Sequence, residues 1–530
     1  MPILLHQLLT HSCRQTPQAN AVVYKKTSLN YQALDTLVCE QAQALIGLHL
    51  KPQQRVGVYL AKQIETVSSF LAISKAGGVF VPINAVLKAS QVAYILSDCN
   101  VQILITSKNR LQTLATTLAD CPDLQTIILV DNNDIPQDNA LSQRILNWPD
   151  FLAKADNHSV MPSIIDTDMA AILYTSGSTG KPKGVVLSHR NLVAGAQSVS
   201  EYLHINANDR LLAVLPFSFD YGLNQLTTCL LQGACCVLLD YLLPRDVIIA
   251  LETHQITGLA AVPPLWAQLA NLAWPQTIND HLRYMTNSGG KMPKSVLANI
   301  RQKASNSRFF LMYGLTEAFR STYLSPDQID KHPDSIGKAI PNAEILVVRE
   351  DGSLCAPYEP GELVHRGSLV SMGYWNDPIK TAERFKPTPG QCHALPLTEI
   401  AVWSGDTVTY DEEGYLYFVG RKDDMIKTSG YRVSPTEIEE VIYASGFVKE
   451  AAAIGIEHDT LGQAILVVIS VENADNFHDE QALINLCRAQ LPNFMVPADI
   501  KVLPVLPKNP NGKIDRKALA QKFFTGFNDD

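Results

Sequence analysis

Short β-rich runs alternate with longer amphipathic stretches: RVGVYL (55–60), a helical pattern over 64–76, VFVP (79–82), a second helical pattern over 90–98, then VQILIT (101–106). The alternation returns with LLAVLP (211–216), CCVLLD (235–240), GLAAVP (258–263) and FFLMYG (309–314), separated by helical segments. Strands joined through helices run parallel, because the crossover carries the chain back to the same end of the sheet. The fold class is therefore α/β, with mainly parallel sheets covered by helices. Ligands are expected at the carboxyl ends of the strands.

At 530 residues the chain exceeds the size of a single core, so at least two domains are expected. From 341 to 420, short Gly- and Pro-punctuated strands (AEILVV, GELVHRG, GYLYFVG) predict a smaller β-rich subdomain. After Gly420 a helix, SPTEIEEVIYA, the strands AAAIGI and AILVVIS, and a basic closing segment read as a compact α+β domain. The division is thus a large domain over 1–420 and a small one over 421–530. Residues 131–168, rich in Asn, Asp and Pro, read as an irregular connection.

A net charge of −9 and a pI near 5.8 argue against a nucleic-acid partner, which would call for a basic face. No apolar run reaches about 18 residues, so no membrane span is predicted. MPILLHQLLTHSCRQ reads as an amphipathic helix rather than a signal peptide, and a cytoplasmic location is expected. The ten cysteines include no CxxC pair, which favours unpaired thiols over disulfides or a metal site.

The strand AILYT runs into YTSGSTGKPKG, Tyr174 to Gly184, with three glycines, two lysines and five hydroxyl side chains. Glycines let successive N–H groups converge on an anion, while hydroxyls and lysines add donors and positive charge. The stretch reads as a polyphosphate cradle. It is not of the Walker type, which would need Gly at Thr175 and Ser or Thr at Pro182. A flexible Gly/Ser linker would share the composition, but not the apolar runs on both sides.

This loop resembles the signature loop of the adenylate-forming superfamily: acyl-CoA synthetases, luciferases and the adenylation domains of peptide synthetases. The resemblance implies that Thr175, Ser176, Gly177, Ser178, Thr179, Gly180, Lys181, Lys183 and Gly184 hold ATP phosphates. In YGLTE it implies Tyr313 and Gly314 against adenine, Thr316 at the α-phosphate and Glu317 as the Mg²⁺ ligand; a first-turn glutamate is the plain alternative. Ser288, Gly289 and Gly290 of TNSGGK would border the adenine. Asp406 and Arg421 would take the ribose hydroxyls. Within GRKDDMIKTSGYRV, Asp423 would be the hinge of a rotating small domain, and Lys427 matches a lysine of the second half-reaction. Lys513 of NPNGK would be the adenylation lysine, neutralising charge as it builds between carboxylate and α-phosphate. The implied reaction joins a carboxylic acid to AMP, then passes the acyl group to the thiol of CoA or of a carrier protein's phosphopantetheine.

By the same resemblance, Phe219, Asp220, Tyr221, Asn224, Ala261, Met285, Asn287, Met312, Arg320 and Ser321 would line the acid pocket. Many fatty and aryl acyl-CoA synthetases carry histidine where Phe219 stands, whereas amino-acid-activating domains carry an aspartate at Asp220. Several of these residues are polar, which suits an amino acid or small polar acid better than a long alkyl chain. Asp220 would meet an amine and Arg320 a second anionic group; the open alternative is that the two pair with each other, since buried charges are usually paired. The DDMIKTSGYRVSPTEIEEV stretch resembles acyl-CoA ligases, and the mixture resembles the acyl-CoA ligase-like group associated with exosortase systems in bacteria. With no carrier domain expected after residue 520, the thiol would arrive in trans. A medium- or long-chain fatty acyl-CoA ligase is one alternative. A nucleotide-binding homologue without catalysis is another, against which Lys513, Glu317 and Asp406 stand.

Overall fold

The computed structural model describes residues 1–530 except 132–140, 157–159, 176–181, 392–393, 422–424, 429–430, 459–460, 473–478, 511 and 524–530. The predicted strands form as Arg55–Tyr59, Val79–Pro82, Val101–Thr106, Arg210–Ala213, Cys235–Leu238, Gly258–Ala261 and Arg308–Tyr313. The first three join a seven-stranded sheet whose edge strands are Arg144–Asn147 and Lys183–Ser188. All its pairings are parallel save the last, an antiparallel hairpin of Met169–Thr175 with Lys183–Ser188. The phosphate-type loop is the tip of that hairpin.

The other four belong to a 14-stranded sheet, parallel from Asn20–Tyr24 to Arg308–Tyr313. This sheet continues through Thr322–Leu324 and Ser335–Ala339 into the antiparallel strands Leu416–Arg421, Ile400–Tyr410, Gly361–Gly367 and Ala343–Val348. The β-rich texture over 341–420 is thus an extension of the parallel sheet rather than a sheet of its own. Gly337 makes the joint: its φ is +86°, and a Cβ there would stand 1.9 Å from the Tyr323 carbonyl oxygen. The expected irregular connection over 131–168 is corrected in part. Arg144–Asn147 adds to Thr126–Leu129, and Asn147 caps the short helix Trp148–Leu152 by accepting from Asp150 N at 2.8 Å.

Helices fill the space between the two sheets. Ile64–Lys75 is buried from Ile64 through Ser74 apart from Glu65, and its polar positions there are the small Thr66, Ser68, Ser69 and Ser74. Phe70 stacks on Phe80 with centroids 4.8 Å apart. Helices Leu5–Gln15, Tyr31–Gly47, His189–Leu203 and Asp220–Gln232 share this core, and each fully buried Leu or Phe there contributes about 1.5–3 kcal/mol. Ala89–Asp98 covers the outer face of the seven-stranded sheet with a second cluster that includes Val92, Ile95 and Leu96.

The C-terminal portion has its own five-stranded sheet, built on the long hairpin of Glu450–His458 with Gly462–Ser470. Helices Pro435–Ala444 and Glu480–Gln490 cover one face, and Arg516–Phe523 lies against the other. Nine cysteines are free thiols, seven of them buried; Cys392 lies outside the described residues. Among the described residues, no helix is long and apolar enough to cross a membrane.

Candidate active site

The carboxyl ends of the parallel strands converge on one cleft. Met169–Thr175 delivers the loop, of which Ser176, Gly177, Ser178, Thr179, Gly180 and Lys181 lie outside the described residues. Both ends of the loop are moored to Ala89–Asp98: Tyr174 Oη donates to Asp98 Oδ2 at 2.5 Å, and Tyr94 Oη to the Pro182 carbonyl at 3.3 Å. Gly184 sits where a Cβ would come within 2.7 Å of Ile172. Its carbonyl accepts from Trp375 N at 2.7 Å.

Strand Arg308–Tyr313 ends in Tyr313, whose hydroxyl donates to Asp406 Oδ2 at 2.5 Å. Asp406 is buried and lies cross-strand from Arg421, so two ribose-directed candidates share one register position; Arg421 is described by its backbone alone. Thr316 and Glu317 follow in a single helical turn, Thr316–Ala318. Glu317 Oε1 accepts from Tyr374 Oη at 2.6 Å, and the Lys183 ammonium stands 5.1 Å from the Tyr374 ring centre. Burial, together with Lys380 and Arg384 nearby, lowers the pKa of Lys183, while Glu317 opposes the shift. Burial and the Glu317 charge push the Tyr374 phenol well up, so it remains a donor. Sequence reasoning misses Tyr374. The available signal was the aromatic pair after Gly373, whose φ is +105°.

Among the described residues no group of three His, Cys, Asp or Glu side chains stands together as a metal cage. A lone Glu317 fits Mg²⁺ all the same, since that ion is usually bound by one or two carboxylates with substrate phosphates and water completing the shell.

On the acid side, Phe219 immediately precedes the helix Asp220–Gln232, with Asp220 in its first turn. Asp220 Oδ2 accepts from Arg320 Nη1 at 2.7 Å and Oδ1 from Thr316 Oγ1 at 3.2 Å. Both side chains of the ion pair are at most 4% exposed. The two charges therefore meet each other, the alternative left open by the sequence, which occupies Asp220 and the Nη1 of Arg320. Arg320 also lies 4.6 Å from the Tyr221 ring centre, and Tyr221 Oη shares a 2.5 Å hydrogen bond with Thr286. Ser321 bonds the buried His365, Nδ1 to Oγ 3.0 Å, and burial lowers that imidazole to about 3. Ala261, Met285, Asn287 and Met312 are buried at neighbouring strand ends, and Asn224 on the helix. Beneath them is a cavity of about 20 Å³ lined by Tyr221, Asn224, Thr286 and Met312 among others.

Lys513 reaches this cleft from the C-terminal portion. Its Cε lies 2.9 Å from where a Cβ on Gly289 would be, and its ammonium is 5.3 Å from the Phe219 ring centre. Gly289, at φ +83°, allows that approach; Ser288 beside it is buried, and a Cβ at Gly290 or Gly314 would stand 3.2 Å from Pro263 or 3.3 Å from Arg320. Asn84 Nδ2 donates to the Pro510 carbonyl at 2.8 Å, and Lys291 pairs with Glu440 at 2.9 Å, holding the two portions together. Lys427 lies in the strand Ile426–Thr428, its side chain undescribed, and Asp423 is outside the described residues.

The model of the family described as "AMP-binding enzyme" matches residues 9–375, and that of "AMP-binding enzyme C-terminal domain" matches 437–513. The chain belongs to the AMP-binding enzyme family. Its curated relatives include bacitracin synthase 3 of Bacillus licheniformis, 30% identical over 98% of this chain but only 8% of its own length. Tyrocidine synthase 1 of Brevibacillus parabrevis is 30% identical over 98% of this chain and 45% of its own. The chain thus spans less than half of either relative. Among solved structures, the anthranilate CoA ligase AuaEII in complex with anthranoyl-AMP superposes with a TM-score of 0.87 at 23% identity, covering 98% of both chains. ATP-bound MatB from Rhodopseudomonas palustris gives 0.85 at 23%, covering 99% of both. At that identity the likeness is one of fold, that of adenylate-forming enzymes.

Proposed function

We propose that this AMP-binding enzyme is an ATP-dependent acid–thiol ligase acting on a small polar carboxylic acid. The observation that carries the reading is Lys513, from a loop of the C-terminal portion, lying beside Gly289 and Phe219. A carboxylate is a poor electrophile, because its leaving group would be oxide. Attack of its oxygen on the α-phosphorus of ATP breaks the bond to the β-phosphate, releases pyrophosphate and leaves an acyl-AMP. Positioning and charge neutralisation supply most of the rate in such a step. Lys513 would neutralise the oxygens between carboxylate and phosphate, with Thr316 beside the α-phosphate. Asp406, supported by Tyr313, would hold the ribose. Glu317, oriented by Tyr374, would hold Mg²⁺, which when bound screens the phosphate charge.

In the second half-reaction a thiol attacks the acyl carbonyl, its proton is lost, and AMP departs with the electron pair of the acyl–oxygen bond. Rotation of residues 421–530 about Asp423 would withdraw Lys513, bring in Lys427 and admit the thiol. The peptide synthases among the relatives favour phosphopantetheine on a carrier protein as that thiol; the CoA ligases among the structures favour CoA. The buried polar side chains of Asn224, Thr286, Asn287 and Arg320 disfavour a medium- or long-chain fatty acid. The Asp220–Arg320 pair moves the reading from an amine-bearing acid toward another small polar one.

Replacing Lys513 with Ala is expected to slow acid-dependent pyrophosphate release by about 10²–10³-fold. The same variant, given ready-made acyl-AMP, should still form thioester, detected by mass on CoA or on a phosphopantetheinyl carrier. Unchanged pyrophosphate release in that variant would defeat the reading.

A further inference from the structure

The acid pocket contains a cation only part of whose hydrogen-bonding capacity is used. Arg320 is 2% exposed, and its Nη1 donates to Asp220 Oδ2 at 2.7 Å and to the Phe319 carbonyl at 3.0 Å. Its Nε and Nη2 are buried and have no acceptor among the described residues. More than nine in ten buried polar groups find a partner, so two vacant donors on one buried guanidinium are exceptional. These two atoms form one edge of the guanidinium, whose parallel N–H vectors match the two oxygens of a carboxylate.

The surroundings hold the group in this arrangement. The Tyr221 ring lies 4.6 Å from the guanidinium carbon and engages its face, leaving the edge clear. Phe319, immediately before it, has φ +57°, a backbone conformation that a bulky residue keeps only where its neighbours enforce it. One such neighbour is Gly195, where a Cβ would stand 2.3 Å from the Phe319 ring. Were Arg320 only the counter-ion of Asp220, nothing would require its second edge to go unfilled.

Resting on the ligase reading above, we propose that the acid this enzyme activates carries a second carboxylate, received by the Nε and Nη2 edge of Arg320. The first carboxylate then lies at the Lys513 end of the cleft. Asp220 keeps its place as the partner of Nη1 and Thr316 and fixes the guanidinium plane.

Isothermal titration of the full chain, with a non-cleavable ATP analogue present, tests this. Malonate, succinate and glutarate are compared with acetate, propionate and butyrate, and with succinamate, whose second group is a neutral amide. At least one diacid is expected to bind about 100-fold or more tighter than its monoacid and half-amide counterparts, since a site with buried polar groups rejects a ligand that leaves them unpaired. Arg320→Lys keeps the charge and removes the parallel donors, and should erase most of that preference. The double variant Asp220→Leu with Arg320→Met, which orphans no charge, should erase all of it. Equal affinity for diacids and monoacids, or a diacid preference that survives in the double variant, overturns the proposal. Pyrophosphate exchange with the same acids separates the two readings. A diacid that binds through Arg320 without supporting exchange defeats the ligase reading and leaves the fork standing; exchange confined to monoacids does the reverse.

Discussion

The two ends of the cleft are built on opposite principles. At the end proposed for the nucleotide, each acidic group has a tyrosine beside it, Tyr313 on Asp406 and Tyr374 on Glu317, and the parts follow one another along strand exits. At the acid end, two full charges a hundred residues apart in sequence, Asp220 and Arg320, are sealed together with almost no exposure. A triphosphate brings its own charge and suits donors and acceptors set along a groove. An acid side chain must be told from many similar ones, which calls for a desolvated pocket whose unmatched groups penalise the wrong ligand.

The largest effect expected from this contrast is at the acid end. Removing one member of the pair, as in Asp220→Ala, leaves the other charge buried and should cost about 3–5 kcal/mol of stability by urea unfolding. Asp220→Leu combined with Arg320→Met should recover most of that loss, and a double variant as unstable as the single would break the comparison. At the nucleotide end, Glu317→Gln should leave unfolding within about 0.5 kcal/mol, because surface-type substitutions seldom exceed that. Its pyrophosphate exchange should nonetheless fall by about 10²-fold, measured over a range of Mg²⁺ concentrations.

A smaller effect is expected from Gly289→Ala, whose Cβ would meet Lys513 Cε at 2.9 Å and whose φ of +83° costs an L-residue about 1–2 kcal/mol. Adenylation should fall by about tenfold, with thioester formation from acyl-AMP changed less; equal loss in both steps would show that Lys513 is not what the methyl displaces.

The smallest effect concerns histidines away from the cleft. Burial lowers His6 to about 3 and His189 to about 4 from the ordinary 6.5, and the two rings meet edge to face at 6.4 Å. Between pH 6.5 and 4 the unfolded chain binds protons on these residues that the folded chain does not, so stability falls as pH drops through that window. His6→Gln should flatten the acid limb of stability against pH, and an unchanged slope would show that His6 does not set it.

The strand and helix order was legible because it rests on local periodicity: the strand at 101–106 and the helix over 64–76 appear within a residue of expectation. The short strand Arg144–Asn147 was hidden among Asn, Asp and Pro, because pairing with Thr126–Leu129, not propensity, defines it. Gly337 gave no hint that it fuses the antiparallel strands to the parallel sheet; that role depends on the Tyr323 carbonyl packed against it. The residues proposed for the nucleotide stand in contiguous motifs, whereas Tyr374, 57 residues from Glu317, could not be linked to it by spacing. At the acid end the residue names could be aligned, yet whether Asp220 met a substrate or Arg320 was a question of tertiary distance, which spacing alone does not answer.

The central claim is that Lys513, Glu317, Asp406 and the buried acid pocket act together on one carboxylate and one ATP. Exchange of labelled pyrophosphate into ATP tests it most directly. The account predicts that label enters ATP only when an acid is present, and that AMP and pyrophosphate are the products when a thiol is added. Label entering at the same rate without acid, or ADP and phosphate as products, would contradict it.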